Sequence, residues 1–197
     1  MERVGAAGRP TISSRELGNA LDLTDAQVRK DLAYFGTFGH PGVGYRVGEL
    51  VRQLKQVLGT DRSWPVALIG AGNLGRALAS HPGFTARGFA LIAIFDAAAA
   101  GETLEALPVQ PMDALVETVK REKIRLAILA VPAEAAQGVA DQLVEAGIHG
   151  ILNFAPVTLD VPDHVSVNAV DLAAQLEQLA FAIRDGDAEA TTKRPVK

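Results

Sequence analysis

The stretch that decides the fold of the C-terminal half reads Val66-Ala67-Leu68-Ile69-Gly70-Ala71-Gly72-Asn73-Leu74-Gly75. Its first four residues are a continuous apolar run, typical of a parallel strand that is buried on both faces. The next six match the pattern G-x-G-x-x-G, and they open an apolar helix. In this setting the first glycine makes a tight turn, the second lets a pyrophosphate approach the backbone, and the third allows close packing of helix on strand. Residues 70–75 are therefore predicted to bind the phosphates of a dinucleotide.

Asp96 refines the prediction for this loop. It ends the next predicted strand, 21 residues beyond Gly75. An acidic residue at this distance accepts hydrogen bonds from the adenosine ribose and repels a 2′-phosphate. The sequence therefore predicts NAD(H) rather than NADP(H) as the cofactor. A strand-turn-helix unit without a ligand is the alternative, and Asp96 argues against it.

The rest of the C-terminal half alternates strands with helices. Further strands are predicted at 91–95, 126–131, 151–154 and 165–170, and the clearest helices at 113–119 and 133–146. This alternation is typical of an α/β fold with a doubly wound parallel sheet of the Rossmann type, which we assign to residues 63–170. A last helix at 171–183 carries apolar residues at helical spacing, and the polar tail 185–197 is predicted to be disordered.

The first 62 residues are predicted to form a winged-helix domain. Ser13 with Glu16 matches a capping box, and Thr24 with Gln27 repeats it, so two helices are predicted around a short turn. On the second helix, the apolar face is expected to be Val28, Leu32 and Phe35, and the outward face Gln27, Lys30, Asp31 and Tyr34. Four glycines within residues 36–45 favour a hairpin, and a further helix is predicted near 47–58.

Composition excludes several classes of protein. The chain has 197 residues, of which 48% are hydrophobic and 21% charged, as in ordinary globular proteins. It has no cysteine, which excludes thiolate metal sites and thiol catalysis. No apolar run is long enough for a membrane helix, so we expect a soluble, cytoplasmic protein without a membrane partner. The net charge is −4, yet residues 1–62 hold nine Lys or Arg against seven Asp or Glu, an excess of +2 that weakly favours a nucleic-acid partner.

A dinucleotide site also suits a dehydrogenase, which usually needs a proton donor such as His, Lys or Tyr. The four histidines are His40, His81, His149 and His164. His81 has no carboxylate nearby in sequence to orient it, and the chain leaves no room for a separate substrate domain. No catalytic residue and no metal ligand is therefore predicted. A small NAD-dependent oxidoreductase is the alternative function, and a dinucleotide- or CoA-binding scaffold with a helical arm is a third possibility.

A series of short motifs follows one order along residues 11–184. They are VRKDL at 28–32, YFG at 34–36, GVGY at 42–45, the glycine loop, FD at 95–96, VP at 131–132, NFAP at 153–156 and VDL at 170–172. Together these motifs resemble the Rex family of redox-sensing transcriptional repressors. The joined series is far more specific than the glycine loop alone.

The resemblance implies a homodimer that binds a palindromic operator through winged-helix domains and senses the NADH/NAD⁺ ratio through Rossmann domains. It implies that the last helix, residues 171–184, is exchanged between subunits. By motif, the adenosine and pyrophosphate of NAD or NADH would be held by Gly70, Ala71, Gly72, Asn73, Leu74, Gly75 and Asp96. The nicotinamide pocket would be lined by Val131, Pro132, Asn153, Phe154, Ala155 and Pro156. The residues facing double-stranded DNA would be Gln27, Arg29, Lys30 and Tyr34, with His40, Tyr45 and Arg46 of the wing near the phosphates or the minor groove.

Three features depart from the family's pattern. Family members usually begin with a helix whose basic residue pairs, in the reduced state, with the acid that matches Asp171. Only residues 1–10 precede the first predicted helix here, so that helix is expected to be missing. The family usually has an aromatic residue where this chain has His81, and a basic residue where the wing has His40-Pro41. Asp171 and His81 are the predicted switch residues, and helix capping is the alternative role of Asp171.

Overall fold

The computed structural model describes residues 10–36, 38–39 and 42–192, with side chains described as far as residue 184. The chain divides into two compact units, Met1–Ser63 and Trp64–Lys197. This division falls next to the boundary that the change of pattern at Trp64 predicts. In the part of the chain that is described, no helix is both long and apolar enough to cross a membrane.

Among its described residues, the N-terminal unit combines three helices with a small sheet. Its elements are β1 (Thr11–Ile12), α1 (Ser14–Leu21), α2 (Asp25–Phe35), β2 (Tyr45–Arg46) and α3 (Val47–Val57). Ser13 begins α1 in a full capping box with Glu16, and Thr24 begins α2 by accepting a hydrogen bond from the amide of Gln27. Asp22 ends α1 in the left-handed conformation, which reverses the chain between the two helices. The buried core of this unit consists of Ile12, Leu17, Val28, Tyr45, Val47 and Leu50.

Two features of the N-terminal unit differ from the sequence-based expectations. In the described residues, β2 pairs antiparallel with β1, across α1 and α2, a pairing that the sequence did not predict. Gly44, with φ +83°, permits this pairing, since a Cβ there would collide with the carbonyl of Ile12. The hairpin predicted within residues 36–45 lies partly outside the described residues. Phe35 is half exposed, so the apolar face of α2 ends at Leu32.

The C-terminal unit is built on a sheet with seven strands among the described residues. The strands are β3 (Trp64–Ile69), β4 (Phe89–Phe95), β5 (Thr103–Leu104), β6 (Leu107–Gln110), β7 (Leu126–Leu129), β8 (Gly150–Asn153) and β9 (Ser166–Ala169). Their order is β5-β6-β4-β3-β7-β8-β9, and only β5 is antiparallel to its neighbour. The six parallel strands have the doubly wound order, with its switch point between β3 and β7. The predicted fold class is therefore confirmed.

Helices α4 (Asn73–Ala79) and α5 (Pro82–Ala86) pack on part of one face of this sheet. On the other face lie α6 (Leu115–Arg121) and α7 (Ala133–Ala146), with a 3₁₀ helix at Met112–Ala114. The last helix is α8 (Leu172–Thr192). Ala67 and Ile69 of β3 join the core beneath α6 and α7, whereas Val66 and Leu68 join the core beneath α4 and α5. The central strand is therefore apolar on both faces, as its sequence predicts.

The last helix is longer than expected and lies apart from both cores. It continues to Thr192, so the predicted disordered tail at 185–197 is wrong for residues 185–192, and residues 193–197 lie outside the described part of the chain. Large apolar side chains along α8 are 58–68% exposed: Leu172, Leu176, Leu179, Phe181 and Ile183. This helix therefore presents an apolar surface to its surroundings.

Candidate functional site

Most of the predicted cofactor residues meet at the carboxyl edge of the parallel sheet. The glycine loop follows β3, Asp96 follows β4, Val131-Pro132 follows β7, and residues 153–156 follow or end β8. Backbone hydrogen bonds join these segments, since Gly70 donates to the carbonyl of Phe95, and Ala130 donates to that of Ile69. Ligands of open α/β sheets bind outside this edge, at the switch point.

Two glycines of the loop are required by the protein's own packing. Gly70 has a φ of +101°, and a Cβ there would collide with the carbonyl of Ala130. A Cβ on Gly75 would collide with the carbonyl of Gly70, because the first turn of α4 packs directly on the loop. These glycines explain the tight turn and the close helix–strand packing, and they imply no ligand by themselves.

Gly72 is different, because nothing in the protein requires a glycine there. It is exposed, its φ of −69° suits any residue, and a Cβ would meet no atom within 4 Å. It begins α4 without a side-chain cap, so the first amides of that helix are not covered by a capping group. An uncovered backbone beside the switch point is what close approach of a pyrophosphate needs. The loop therefore fits a dinucleotide.

Asp96 holds the glycine loop through hydrogen bonds to backbone amides. Its Oδ2 accepts a hydrogen bond from the amide of Ala71 at 2.7 Å, and its Oδ1 accepts from the amides of Ala98 and Ala99 at 2.7 and 2.8 Å. Burial raises the pKa of Asp96, but these three amides, together with Arg76, outweigh it and lower the pKa below its usual value. A carboxylate has about four acceptor sites, so one is left for a ribose hydroxyl.

The segments after β7 and β8 serve the site in different ways. Val131 packs beside Gly70 and is partly buried, and Pro132 is exposed at the start of α7. Asn153 is only 1% exposed, with its amide donating to the carbonyl of Val157 and its Oδ1 accepting from the amide of Ala155. Asn153 and Ala155 are both buried and shape the turn, and their place in the nicotinamide pocket stays a prediction. Phe154 is partly buried and Pro156 is exposed.

His81 lies away from the glycine loop. It begins α5, and its ring meets that of Phe84 edge to face, with centroids 5.1 Å apart. Both line a cavity of about 560 Å³ over one face of β3, β4, β7, β8 and β9. None of the glycine-loop residues lines this cavity, which is largely apolar where Leu68, Phe89 and Ile128 reach it. The structure thus assigns His81 to an open sheet face and not to the carboxyl edge.

The outward face of α2 is a candidate nucleic-acid interface. Gln27, Lys30 and Tyr34 are exposed on this helix, the second of the helix-turn-helix, and Tyr34 is 85% exposed. Val28, on the opposite side, is buried against the core. This is the arrangement by which a recognition helix enters the major groove.

Arg29 plays a more internal part than predicted. Its guanidinium donates to Asp25 at 2.8 Å and to the hydroxyl of Ser14 on α1 at 3.0 Å. The hydrogen bond and charge of Arg29 lower the pKa of Asp25. Arg29 therefore ties α2 to α1, while more than half of its side chain stays exposed.

Of the two described wing residues, one is exposed and one is buried. Arg46 is exposed, and its guanidinium lies 3.4 Å from Oε1 of Glu49. Tyr45 is buried in the core of the N-terminal unit, so its prediction as a DNA contact is corrected: alternation along β2 turns Tyr45 inward and Arg46 outward. His40 lies outside the described residues. Residues 1–9 also lie outside them, so the prediction that the first helix is missing stays a prediction.

Asp171 caps α8. Its Oδ1 accepts hydrogen bonds from the amides of Ala173 and Ala174 at 2.9 and 3.0 Å. This is the capping role that the sequence offered as the alternative to a switch contact, and it leaves Oδ2 available to a further partner.

Sequence reasoning missed an ion pair beside Asp96. Arg76, the residue after Gly75, donates to the carboxylate of Glu102. The two residues are 26 positions apart, so no local pattern joins them. The sequence feature that could have indicated this ion pair is the position of Arg76, a cationic residue directly after the glycine loop.

Two family models match the chain. One, described as a CoA binding domain, matches residues 61–157. The other, described as a putative DNA-binding protein N-terminus, matches residues 1–33. The two matches fall on the two units.

Known proteins resemble nearly the whole chain. The redox-sensing transcriptional repressor Rex of Pelotomaculum thermopropionicum is 46% identical over 192 residues, which cover 96% of this chain and 90% of the relative. The crystal structure of RSP in complex with β-NAD⁺ and operator DNA is 37% identical, with a TM-score of 0.90, and covers 98% of this chain and 89% of that chain. The structure of RSP in complex with β-NADH is 36% identical, with a TM-score of 0.84, and covers 98% and 91%. RSP is itself described as a Rex-family repressor.

Proposed function

Since the chain belongs to the Rex family of redox-sensing transcriptional repressors, we propose that it represses transcription in response to the NADH/NAD⁺ ratio. In this proposal a homodimer binds a palindromic operator through its N-terminal units and NAD(H) through its C-terminal units. NADH releases the operator. The function is regulatory and not enzymatic, in keeping with the names of the relatives. A repressor must reside with the chromosome, so we further propose a cytoplasmic location.

The observation that carries the proposal is the uncovered backbone at Gly72 beside Asp96. Gly70, Ala71, Gly72, Asn73, Leu74 and Gly75 would hold the pyrophosphate at the start of α4. Asp96 would accept a hydrogen bond from the adenosine ribose through its remaining acceptor site. Val131, Pro132, Phe154 and Pro156, on the neighbouring strand ends, would border the nicotinamide.

The experiment is a titration of a labelled palindromic operator duplex with the full chain, first in NAD⁺ and then in NADH. Binding in NAD⁺ followed by release in NADH supports a redox-responsive repressor. Equal retention in both forms would overturn it. Turnover of the cofactor by the protein, with no affinity for the duplex, would instead support the oxidoreductase.

Lys30 supplies a test of the DNA interface. We expect Lys30→Ala to weaken operator binding and to reduce the dependence of log affinity on log salt by about two, since each subunit of the dimer loses one phosphate contact. NADH affinity should stay unchanged, because Lys30 lies on the exposed face of α2. The matched control is Lys120→Ala, which removes the same charge from the surface of α6. Equal salt slopes for Lys30→Ala and the wild type would contradict the assignment.

Arg29→Ala is expected to behave differently from Lys30→Ala. It breaks the link between α2 and Ser14, so it should lower thermal stability as well as operator affinity.

The dimer is supported by two apolar surfaces within the C-terminal unit. The cavity of about 560 Å³ leaves one sheet face open, and α8 presents five large exposed apolar side chains. We propose that α8 is exchanged between subunits, which covers its apolar side. His81 would then lie at or near the contact between the two copies.

Asp171 is proposed as a switch residue in addition to its role as a cap. Asp171→Asn keeps a side-chain oxygen for the amides of Ala173 and Ala174 but removes the charge. We expect this variant to bind NADH normally and to release the operator several-fold less effectively. Asp171→Ala should add a loss of helix stability of about 1 kcal/mol. If the Asp171→Asn variant released the operator at the same NADH concentration as the wild type, Asp171 would be a helix cap without a role in the switch.

A further inference from the structure

An ion pair lies where the adenosine ribose would meet the protein. Arg76 belongs to α4, directly after the glycine loop, and its guanidinium donates to the carboxylate of Glu102. Glu102 is fixed at the end of the turn that begins at Asp96, with its amide donating to the carbonyl of Ala99 and its carbonyl accepting from the amide of Val109. One short turn thus presents two carboxylates, Asp96 and Glu102, toward the same helix.

Arg76 also acts on Asp96. Its positive charge is among the causes that lower the pKa of that carboxyl. The guanidinium is therefore within electrostatic reach of both carboxylates, and its hydrogen bond goes to Glu102. The three side chains together carry a net charge of −1.

A 2′-phosphate would be attached to the ribose that Asp96 contacts. Proteins that accept this phosphate commonly place an arginine near it. Arg76 is suited to this role because a guanidinium can bind a phosphate with two parallel hydrogen bonds. It directly follows the glycine loop, and its charge acts on Asp96. In this chain its guanidinium is already engaged by Glu102.

We propose that Glu102 is a specificity-determining residue that excludes NADP(H) by holding Arg76 away from the 2′-phosphate. Asp96 repels the phosphate directly, and Glu102 removes the cation that would offset this repulsion. A sensor of the NADH/NAD⁺ ratio needs such exclusion, because a response to NADPH would report a different pool of reducing power. The inference rests on the proposed binding of NAD(H).

The test is Glu102→Gln, with dissociation constants for NADH and NADPH measured by calorimetry on the full chain. We expect NADPH to bind the Glu102→Gln variant at least about tenfold more tightly than it binds the wild type. This gain corresponds to one additional hydrogen bond to a charged group. NADH, which has no 2′-phosphate, should change by less than about twofold. The pair is exposed and contributes little to stability, so the variant should fold, and Glu102→Ala provides a second form of the same test.

Two further variants separate the proposed role from a general charge effect. Glu105→Gln removes the same charge from an exposed position between β5 and β6 and should leave NADPH binding unchanged. Arg76→Gln combined with Glu102→Gln should lose the gain, because the gain depends on the freed guanidinium.

The outcomes are distinguishable. Unchanged NADPH affinity in Glu102→Gln, an equal gain in Glu105→Gln, or a gain that survives loss of Arg76 would each overturn the role of Glu102 while leaving NADH binding intact. A wild type that binds neither dinucleotide would overturn both this role and the proposed function.

Discussion

Saturating NADH is expected to weaken operator binding by the full chain by at least about tenfold relative to saturating NAD⁺, within the range typical of allosteric coupling. NADH can release DNA only if it binds the DNA-incompetent arrangement more tightly than the competent one. A ligand with equal affinity for both arrangements shifts nothing. The measurement is fluorescence anisotropy of a labelled palindromic duplex at matched concentrations of the two cofactors.

Thermodynamic linkage gives this expectation a second, independent check. Operator DNA must lower the affinity for NADH by the same factor by which NADH lowers the affinity for DNA. Calorimetric titration of NADH into the protein, with and without operator duplex, measures that factor. Equal operator affinity in the two cofactors, together with an NADH affinity that operator DNA leaves unchanged, would exclude a redox switch.

Replacing Gly72 by valine is expected to lower NADH affinity by about a hundredfold or more, because the new side chain fills the space that the pyrophosphate needs. The fold should tolerate the change, since a Cβ at this position meets no protein atom within 4 Å. Operator binding should survive, and its response to NADH should be lost. Calorimetry for NADH and anisotropy for the operator measure the two effects separately.

Gly138→Val is the matched control. Gly138 lies on α7, is exposed, and likewise has no atom within 4 Å of a Cβ. This variant should bind NADH and respond to it like the wild type. If Gly72→Val also bound NADH with wild-type affinity, the glycine loop would not be the pyrophosphate site.

The long elements of the C-terminal unit could be predicted from the sequence because local chemistry and tertiary packing agree there. The helix predicted at 133–146 is observed with those bounds, since Pro132 precedes it and Gly147, with φ +94°, ends it. The shorter elements β5, β6 and α5 were missed, because two to five residues are too few to establish a period. The strand β6 also contains Pro108, which disfavours a strand prediction.

The site residues show where residue type is a poor guide to position. Asn153 was assigned to the nicotinamide pocket by its motif, and the motif did not indicate that its side chain is buried and makes two hydrogen bonds within the turn. Tyr45 was placed on the wing surface, yet its partner strand lies before α1, and the pairing with β1 turns its ring into the core. Both outcomes depend on contacts between residues distant in sequence, which a local pattern does not contain.

The open sheet face and the exposed apolar side of α8 have a consequence for how the protein responds to dilution. In the proposed dimer these surfaces are covered only when two chains associate. Association therefore stabilises the folded chain, and its contribution depends on protein concentration. The midpoint of thermal unfolding should therefore rise with protein concentration. In a cell that makes few copies, the amount of competent repressor would then increase more steeply than the amount of chain synthesised.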